Sequence, residues 1–315
     1  MDTRERKIWI DGHFVPWADA TVHVLSHSLQ RGSLVFDYMS VHECPRGAAV
    51  FRLDEHLDRF LTSCELTGLA VDPSRDELRE AVRATVRANP GAKAVKVSGY
   101  LASIEIDVVP VDAHVTIAIA AYDPIADIAA HKPTPPVPRR ASIRLWIEKE
   151  RKNRRKDIVP PQAKTAANYA SPMVAKARAR EQGYDEIVLV DEYGCVAEGP
   201  TTNIFLVRAD GVLATPPTER VLLGVTRSSI LEIAAGEGLD VREERVRPED
   251  LLAASEVFLT GTTAGVLPVE SVDGKPVGTS VPGPVAARLK QRFDRVVSGG
   301  DDAFAHWLTY AHDEA

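Results

Sequence analysis

The chain has 315 residues, of which 44% are hydrophobic and 26% charged. This composition is that of a globular protein, and the length exceeds what one core usually holds, so two domains are expected. The formal net charge of -7 argues against a general affinity for nucleic acid. The cysteines lack metal-ligand spacing, the first residues are charged, and no apolar run could cross a bilayer. We therefore expect a cytoplasmic protein with reduced thiols, no signal peptide, no metal site and no membrane partner.

The first part of the chain predicts a small α+β domain that begins with a hairpin. Residues 7–17 form that hairpin, because apolar Ile8 and Ile10 precede an Asp11-Gly12 turn. Further strands are predicted at residues 36–41, 48–52, 93–106 and 113–122.

Two helices are predicted between these strands. The first follows Asp54, whose carboxylate can cap the first turn. The second follows Ser74, which has the spacing of a capping box with Glu77. Both helices carry apolar residues on one side, so they are expected to pack against the sheet.

A proline-rich stretch separates this part from the rest of the chain. The run from Lys132 to Pro138 cannot sustain a helix or a strand ladder. The expected organisation is a domain at residues 1–125, a linker at 126–140 and a larger C-terminal α/β domain at 141–315. The strands predicted in the C-terminal domain lie at residues 142–147, 185–191, 203–208, 256–260 and 266–269, and its helices at 169–182, 226–236 and 284–297. The tail from Ser298 is polar, with a short amphipathic piece.

Lys164 is the first candidate for chemistry. A lysine is ordinarily a solvated surface residue. Lys164, however, lies among small or apolar residues and directly before a predicted helix. An amine held in such surroundings loses hydration and can serve as a nucleophile and a proton carrier.

Three later stretches could hold a small anionic ligand. Glu198 is either a turn carboxylate or an acceptor for the protonated ring nitrogen of a cofactor. The stretch 224–227 opens a predicted helix, whose free N–H groups and dipole attract phosphate, and Thr226 adds a hydroxyl. The stretch 261–264 is a similar turn of small residues with open amides.

Other polar features have simpler explanations. Arg59 can pair with Glu55 one helical turn earlier. His27 has no metal-ligand spacing around it and is expected to make a structural hydrogen bond. A basic cluster could bind phosphate backbones, but acidic residues dilute it and no aromatic residues interleave, so a solvated loop is expected. The cluster consists of Lys149, Arg151, Lys152, Arg154, Arg155 and Lys156.

Several short stretches also follow one another in an arrangement typical of one enzyme family. They are Ser26–Leu29 with Gly32, Val35-Phe36, Phe51-Arg52 with Glu55-His56 and Arg59, Lys164 with Asn168-Tyr169, Gly183–Glu186, Glu198-Gly199 with Asn203–Phe205, Thr215–Pro217, Gly224–Arg227 and Glu256–Thr262. Together they resemble the fold-type IV pyridoxal-phosphate enzymes, the class IV aminotransferases, in a layout closest to the branched-chain aminotransferases. This family also includes D-amino-acid aminotransferases, (R)-amine transaminases and aminodeoxychorismate lyases.

The resemblance implies a role for each matching residue. Lys164 would form a Schiff base with pyridoxal 5′-phosphate, Tyr169 would bind its phenolic oxygen, and Glu198 would pair with its ring nitrogen. The residues implied around the phosphate and the ring are Arg59, Leu222, Gly224, Val225, Thr226, Gly261 and Thr262. This replaces the surface-pair interpretation of Arg59. The family also implies a homodimer, with active sites near the subunit interface between the two domains.

The stretches that select the substrate depart from the family pattern. Branched-chain enzymes continue the Val-Phe strand with an acidic residue, glycine, an aliphatic residue and arginine, whereas residues 36–40 here read Phe-Asp-Tyr-Met-Ser. Arg31 stands where those enzymes have tyrosine. Their later Tyr-x-Arg-Pro stretch is replaced here by residues 95–100, Val-Lys-Val-Ser-Gly-Tyr. The candidate substrate contacts are Arg31, Phe36, Tyr38 and Thr263, and Arg31, Lys96 or Tyr100 could compensate for the missing arginine.

The leading hypothesis is an aminotransferase that moves an amino group between a hydrophobic or branched-chain amino acid and a 2-oxo acid. An (R)-amine:pyruvate or D-amino-acid transaminase is the alternative that these departures motivate. An aminodeoxychorismate lyase and a non-enzymatic binding module that uses the basic cluster also stay open.

Overall fold

The computed structural model describes residues 5–132, 140–153 and 155–312. In this part of the chain the strands are β1 (Lys7–Ile10), β2 (His13–Pro16), β3 (Leu34–Cys44), β4 (Gly47–Phe51), β5 (Ala94–Leu101), β6 (Val115–Tyr122), β7 (Ile143–Glu148), β8 (Glu186–Leu189), β9 (Asn203–Val207), β10 (Leu213–Thr215), β11 (Val241–Glu243), β12 (Glu256–Gly261), β13 (Gly265–Val272), β14 (Lys275–Pro276) and β15 (Leu308–Tyr310). The helices are α1 (His27–Arg31), α2 (Leu53–Leu66), α3 (Arg75–Ala88), α4 (Ala170–Glu181), α5 (Val225–Gly236), α6 (Pro248–Ala253) and α7 (Pro284–Val297). None of these helices combines the length and apolarity needed to cross a lipid bilayer.

The described residues group into two compact units. The first holds the chain up to residue 132, Ala163–Ala167 and the residues from Val296 onward, and the second holds the described part of 140–162 and Asn168–Arg295. The predicted domain limits at 1–125, 126–140 and 141–315 stay a prediction. The grouping differs from them mainly in two short segments, 163–167 and the chain end, because both bond to strands of the first unit.

The first unit is built on an antiparallel sheet. Among the described strands its order is β15-β4-β3-β5-β6-β1-β2. The hairpin of β1 and β2 pairs Lys7 with Pro16 and turns at Asp11 and Gly12, both at positive φ, which is the backbone that an Asp-Gly turn readily adopts. β4 covers only the second half of one edge of β3, from Val41 onward, so this edge is divided into a part that β4 covers and a part that it does not.

The core of the first unit lies on one face of this sheet. Helices α2 and α3 bury Leu57, Phe60, Leu78 and Val82 in a common apolar cluster with the sheet. Burial along β3 alternates, as the two-residue period of a strand requires. Val35, Asp37 and Met39 face the core, and Phe36 and Tyr38 face the other way and are half-buried. Asp37 is thus a polar side chain on an apolar face.

The second unit is built on a mixed sheet. Its order over the described strands is β11-β10-β9-β12-β13-β7-β8, with β14 paired to β13. Parallel pairing joins β10 to β11, β13 to β7 and β7 to β8. Strands β9 and β12 are buried along almost their whole length, and Phe205 stacks on Phe258 with ring centroids 5.2 Å apart. Two polar residues that flank these apolar runs, Asn203 and Thr260, lie opposite each other.

Most predicted elements are confirmed, with differences at their ends. The capping box of Ser74 and Glu77 is present. Asp54 is not the cap of α2, because the helix already begins at Leu53 and Arg52 occupies the capping position with a left-handed backbone. Strands β5 and β6 are shorter than predicted. Helices α1 and α6 and strands β10, β11, β14 and β15 were not predicted.

The predicted linker is described only in part, and the tail makes contacts that were not predicted. The proline run at 133–138 lies outside the described residues, and Pro124–Ile128 and Ala129–His131 before it form short helical turns. The tail is not simply polar, since β15 pairs with β4 and Trp307 is buried. Trp307 packs edge-on against Phe51 and beneath the guanidinium of Arg52. These contacts hold the end of the chain in the first unit.

Candidate active site

The main chain of Lys164 is attached to the divided edge of β3. Phe36 donates its N–H to the carbonyl oxygen of Lys164 at 3.1 Å, and Val35 pairs with Thr165 as an antiparallel bridge. The hydroxyl of Thr165 donates to the carbonyl of Leu34 at 3.0 Å. Residues 163–165, the lysine segment, therefore occupy the half of this edge that β4 does not cover.

The side chain of Lys164 lies over an aromatic ring. Its Nζ atom is 5.0 Å from the centroid of the Phe36 ring, and the Nζ atom of Lys96 is 4.5 Å from the same centroid. Both amines thus face the half-buried side of β3, the side that also carries Tyr38. An apolar ring beside a partly desolvated amine is a setting in which lysine can act as a nucleophile.

Arg59 lies beneath this strand in a buried ionic group. Its Nε and Nη2 atoms donate to the two carboxylate oxygens of Asp37 at 2.7 Å each, and the Nδ1 atom of His56 donates to the same carboxylate at 2.7 Å. Asp37 is fully buried and the Arg59 side chain is 10% exposed. The predicted surface pair of Arg59 with Glu55 is wrong, because Glu55 pairs with Arg52 instead.

The charges of this group decide its protonation. Burial alone would raise the pKa of Asp37, but the positive charge of Arg59 and the contact with His56 outweigh it, so that pKa lies well below its usual range. Burial lowers the pKa of His56 against the opposing effect of Asp37, and the charges of Arg59 and Lys164 add to the lowering. At neutral pH the group is therefore a carboxylate, a guanidinium and a neutral imidazole.

In the second unit, Glu198 is a buried carboxylate surrounded by donors. Its Oε2 atom accepts from the N–H of Leu222 at 3.0 Å and from the Nδ2 atom of Asn203 at 3.2 Å. Asn203 also donates to the carbonyl of Leu222 at 3.0 Å. Asn203 therefore fixes both the carboxylate and the chain that leads into α5. A carboxylate held in this way can accept a hydrogen bond from a protonated ring nitrogen.

The start of α5 meets the requirements of a phosphate seat. Its N-cap residue is Gly224, which makes no side-chain cap, and Val225 and Thr226 follow with the N–H groups of a first turn, which have no partner within the helix. A Cβ atom on Gly224 would lie 1.9 Å from the Oδ1 atom of Asn203, so only glycine fits there.

Two hydroxyls near this seat point to a ligand. Thr202 and Thr260 each bury a hydroxyl oxygen that lacks a hydrogen-bond partner among the described residues. Gly261 follows Thr260 at the end of β12, and a Cβ atom on it would lie 3.2 Å from the carbonyl oxygen of Thr201. Buried unpaired hydroxyls cost stability unless a bound group satisfies them. The donors of the second unit thus fit a phosphate, and Glu198 fits a pyridinium nitrogen.

The remaining predicted site residues are placed as follows. Tyr169 ends the 3-10 turn Ala166–Tyr169 before α4 and is half-buried. Thr262 and Thr263 form the turn between β12 and β13, where Thr262 is half-buried and Thr263 exposed. Arg31 donates to the carbonyl oxygens of Glu105 and Ile106, in the loop between β5 and β6.

Residues with simpler predicted roles behave as expected. His27 makes structural hydrogen bonds, to Ser33 at 2.7 Å and to the carbonyl of Val108 at 2.9 Å. Acidic partners dilute the basic cluster, since Lys149 pairs with Asp273 and Arg155 with Asp157. Arg154 of that cluster lies outside the described residues. Among the side chains that are described, no three His, Cys, Asp or Glu residues gather as a metal ion would require.

Comparison with known proteins identifies the family. The model of the amino-transferase class IV family matches residues 34–272, which is most of the chain. The chain belongs to the class IV aminotransferases. The branched-chain-amino-acid aminotransferase of Pseudomonas aeruginosa is 35% identical to this class IV aminotransferase over 310 residues, which cover 98% of both chains. That of Escherichia coli K12 is 36% identical over 305 residues, or 96% of each chain.

Solved structures agree with this assignment. The crystal structure of the Escherichia coli branched-chain amino acid aminotransferase superposes with a TM-score of 0.88 at 33% identity, over 98% of this chain and 100% of that one. The PLP-bound holo-form of the Thermobaculum terrenum branched-chain enzyme superposes with a TM-score of 0.87 at 26% identity, over 99% of this chain and 100% of that one. The predicted family and fold type are therefore confirmed. The chain is an aminotransferase, and its cofactor is the pyridoxal 5′-phosphate that class IV aminotransferases use. The non-enzymatic alternative has no support.

The residue pattern alone assigned no role to several members of these groups. Asp37, His56, Ser63 and Asn203 are buried polar residues that bond to predicted site residues. A signal was present for two of them. Asp37 interrupts the apolar face of a strand, and Asn203 is the first residue of a strand that is otherwise apolar. A polar residue buried in a strand needs a hydrogen-bond partner.

Proposed function

We propose that this aminotransferase moves the amino group of a hydrophobic, branched-chain amino acid to a 2-oxo acid. The relatives named above carry that substrate class in their names and match the chain almost from end to end. The observation that carries the proposal is the aromatic ring of Phe36 within 5.0 Å of the Lys164 amine. An aliphatic side chain bound beside that ring would be removed from water.

Lys164 is the proposed catalytic residue. When bound, pyridoxal phosphate supplies an aldehyde that an amine can attack and a ring that withdraws electrons from the substrate α-carbon. The Nζ atom of Lys164 would hold the cofactor and would carry the proton that leaves the substrate α-carbon. Attachment of the lysine main chain to β3 keeps this amine in place.

The other cofactor contacts have separate proposed roles. Glu198 holds the proton on the ring nitrogen, Tyr169 binds the phenolic oxygen, and Leu222 packs against the ring. The residues proposed to bind the phosphate, through amides, hydroxyls or charge, are Arg59, Gly224, Val225, Thr226, Gly261 and Thr262.

For the substrate, we propose that Phe36 and Tyr38 contact the side chain and that Thr263 contacts the carboxylate. Arg31 acts through the loop whose carbonyls it binds.

One observation favours the (R)-amine or D-amino-acid alternative. Val95 and Val97, in the stretch where branched-chain enzymes have tyrosine and arginine, face the apolar core here. The positively charged residue that β5 places on the same side as the Phe36 ring is then Lys96, in place of that arginine.

A donor panel separates these candidates. Holoenzyme is assayed with L-leucine, L-valine, D-alanine and an (R)-amine, each with 2-oxoglutarate and with pyruvate, and Lys164→Ala is the control. The proposal expects L-leucine or L-valine to react fastest and the control to be inactive. A strict preference for D-alanine or the (R)-amine would replace it with the alternative.

We also propose a homodimer that works in the cytoplasm. An exposed apolar surface supports the dimer, since Ile106 is 97% and Val111 95% exposed, and hydrogen bonds of His27 and Arg31 hold this loop against α1. Other exposed members of this surface are Val24, Leu25, Leu29, Ile104, Val108 and Val109. Sedimentation of Ile106→Asp beside the exposed control Val281→Asp tests the dimer, because only the first change should release monomers.

The free thiols of the three cysteines suit a reducing compartment such as the cytoplasm, and cell fractionation tests this proposal.

A further inference from the structure

We propose that Ser63 is a positioning residue that fixes the main chain of Lys164 and thereby the reach of its amine. The inference rests on the proposed role of Lys164 as the catalytic amine. Ser63 lies on α2, one turn after Arg59, and none of its side chain is exposed. It touches neither the lysine amine nor the Phe36 ring in the contacts described above, so its effect would pass through the peptide group of Lys164.

The hydroxyl of Ser63 makes two hydrogen bonds with opposite roles. It donates to the carbonyl oxygen of Arg59 at 2.6 Å. It accepts from the main-chain N–H of Lys164 at 3.0 Å. Because the first bond directs the hydroxyl proton into the helix, a lone pair is left to face the lysine segment. The helix thus orients an acceptor for a residue that lies 101 positions further along the chain.

The peptide groups of Lys164 are held from two different elements. Its N–H bonds to α2 through Ser63, and its C=O bonds to β3 through the N–H of Phe36 at 3.1 Å. With both groups fixed, the Cα atom of Lys164 has little freedom to move. The four-carbon side chain then starts from a fixed point relative to the Phe36 ring. Without Ser63 the N–H would lose this hydrogen bond, while the bonds of the segment to β3 would remain.

A serine suits this position better than chemically similar residue types such as alanine or cysteine. The group must donate and accept at once in a fully buried place, which a hydroxyl does and a methyl group does not. A thiol fills similar space but is a weak donor and acceptor. Threonine keeps the hydroxyl, and helical threonine can make the same bond to the carbonyl four residues earlier. Thr85 on α3 already does so, to Ala81 at 2.7 Å.

The test compares holoenzymes that carry Ser63→Ala, Ser63→Cys and Ser63→Thr with a matched control. The control is Thr85→Val, which removes an equally buried hydroxyl that donates to the carbonyl four residues earlier in a neighbouring helix. Three quantities are measured: kcat and KM with the best amino donor, and the pH midpoint at which the absorbance band of the bound cofactor changes. The last reports the surroundings of the Lys164 nitrogen independently of turnover.

If Ser63 positions Lys164, Ser63→Ala lowers kcat about tenfold while KM changes less than about twofold, as expected when a reacting group is displaced by a fraction of an ångström. The pH midpoint moves, Ser63→Thr restores both values, and Thr85→Val changes neither. If Ser63→Ala does not fold, Ser63→Cys decides, with a smaller change in the same direction. Unchanged kcat and midpoint in the folded Ser63 variant, or equal losses in Thr85→Val, would overturn the inference.

The proposed function fails in a different way. If Lys164→Ala kept the wild-type absorbance band, Lys164 would not be the amine that holds the cofactor. If Lys164→Ala loses the band and Ser63→Ala behaves like wild type, only the role of Ser63 is wrong.

Discussion

The carboxylate of Asp37 receives Nε and Nη2 of Arg59 at 2.7 Å each, so the charge of Arg59 is balanced inside the first unit. Two parallel bonds also fix the plane of the guanidinium, which a single contact would not. Because β3 carries Asp37 and α2 carries Arg59, the pair ties the helix to the strand that holds the lysine segment.

Removing the charge of Asp37 should therefore be costly. We expect Asp37→Asn to lower the free energy of unfolding by about 3 kcal/mol, since it leaves a buried guanidinium without its counter-charge. Asp58→Asn is the control, because Asp58 pairs with Arg75 while both side chains are about half exposed. That change should cost less than about 1 kcal/mol. Urea unfolding of the cofactor-free protein at pH 7.5, in which no phosphate can balance Arg59, measures both, and similar losses would contradict the account.

Stability should also fall on acidification through His56. Its pKa is lowered in the folded protein, so the unfolded chain binds the proton first, and the free energy of unfolding decreases as pH falls below about 6.5. The pKa of Asp37 is lowered as well, so its contribution is present above about pH 3.9 and is lost only in stronger acid.

His56→Asn tests this pH dependence, because the amide can donate to Asp37 and does not titrate. The variant should lose less stability than wild type between pH 7.5 and 5.5 in urea unfolding. His13→Asn, at an exposed histidine, should lose as much as wild type. A His56→Asn curve parallel to that of wild type would refute the assignment.

Gly224 and Gly236 lie at opposite ends of α5 and should respond differently to alanine. Gly224→Ala would drive a methyl group into Asn203, and the expected loss is about 1–3 kcal/mol of stability together with weaker retention of pyridoxal phosphate. Nothing lies within 4 Å of a Cβ atom on Gly236, so Gly236→Ala should be neutral or stabilising by up to about 1 kcal/mol. Thermal unfolding and cofactor absorbance after dialysis report both effects, and normal retention in Gly224→Ala would count against the phosphate seat.

The end of the chain should contribute to the stability of the first unit. Trp307 is 3% exposed and contacts Phe51 and Arg52, so Trp307→Ala is expected to cost about 3–5 kcal/mol. Tyr193→Ala, at a tyrosine that is 68% exposed, should cost far less. Chemical denaturation compares the two. A neutral Trp307→Ala would mean that the tail packs without contributing stability.

The predictable features were those set by neighbours in sequence. The Asp11-Gly12 turn and the Ser74–Glu77 box are local, so the residue types alone specify them. Arg59 shows the limit, since Glu55 lies one turn away in sequence, whereas its actual partner is 22 residues away on a strand. Strand β15 was missed for a similar reason, because three residues become a strand only when β4 offers its edge. The motif resemblance supplied the candidate site residues, but which buried polar residues support them depends on such distant pairings.

The pairing of Val35 with Thr165 covers part of one edge of β3. The segment that carries the proposed catalytic amine thus satisfies hydrogen-bonding groups of β3 that would otherwise be open. Unsatisfied strand edges recruit other chains, so a variant that loosens residues 163–165 should be inactive and also prone to self-association. Selection for a protein that stays in solution would then preserve the strand-forming main chain of this segment, whatever side chain stands at position 164.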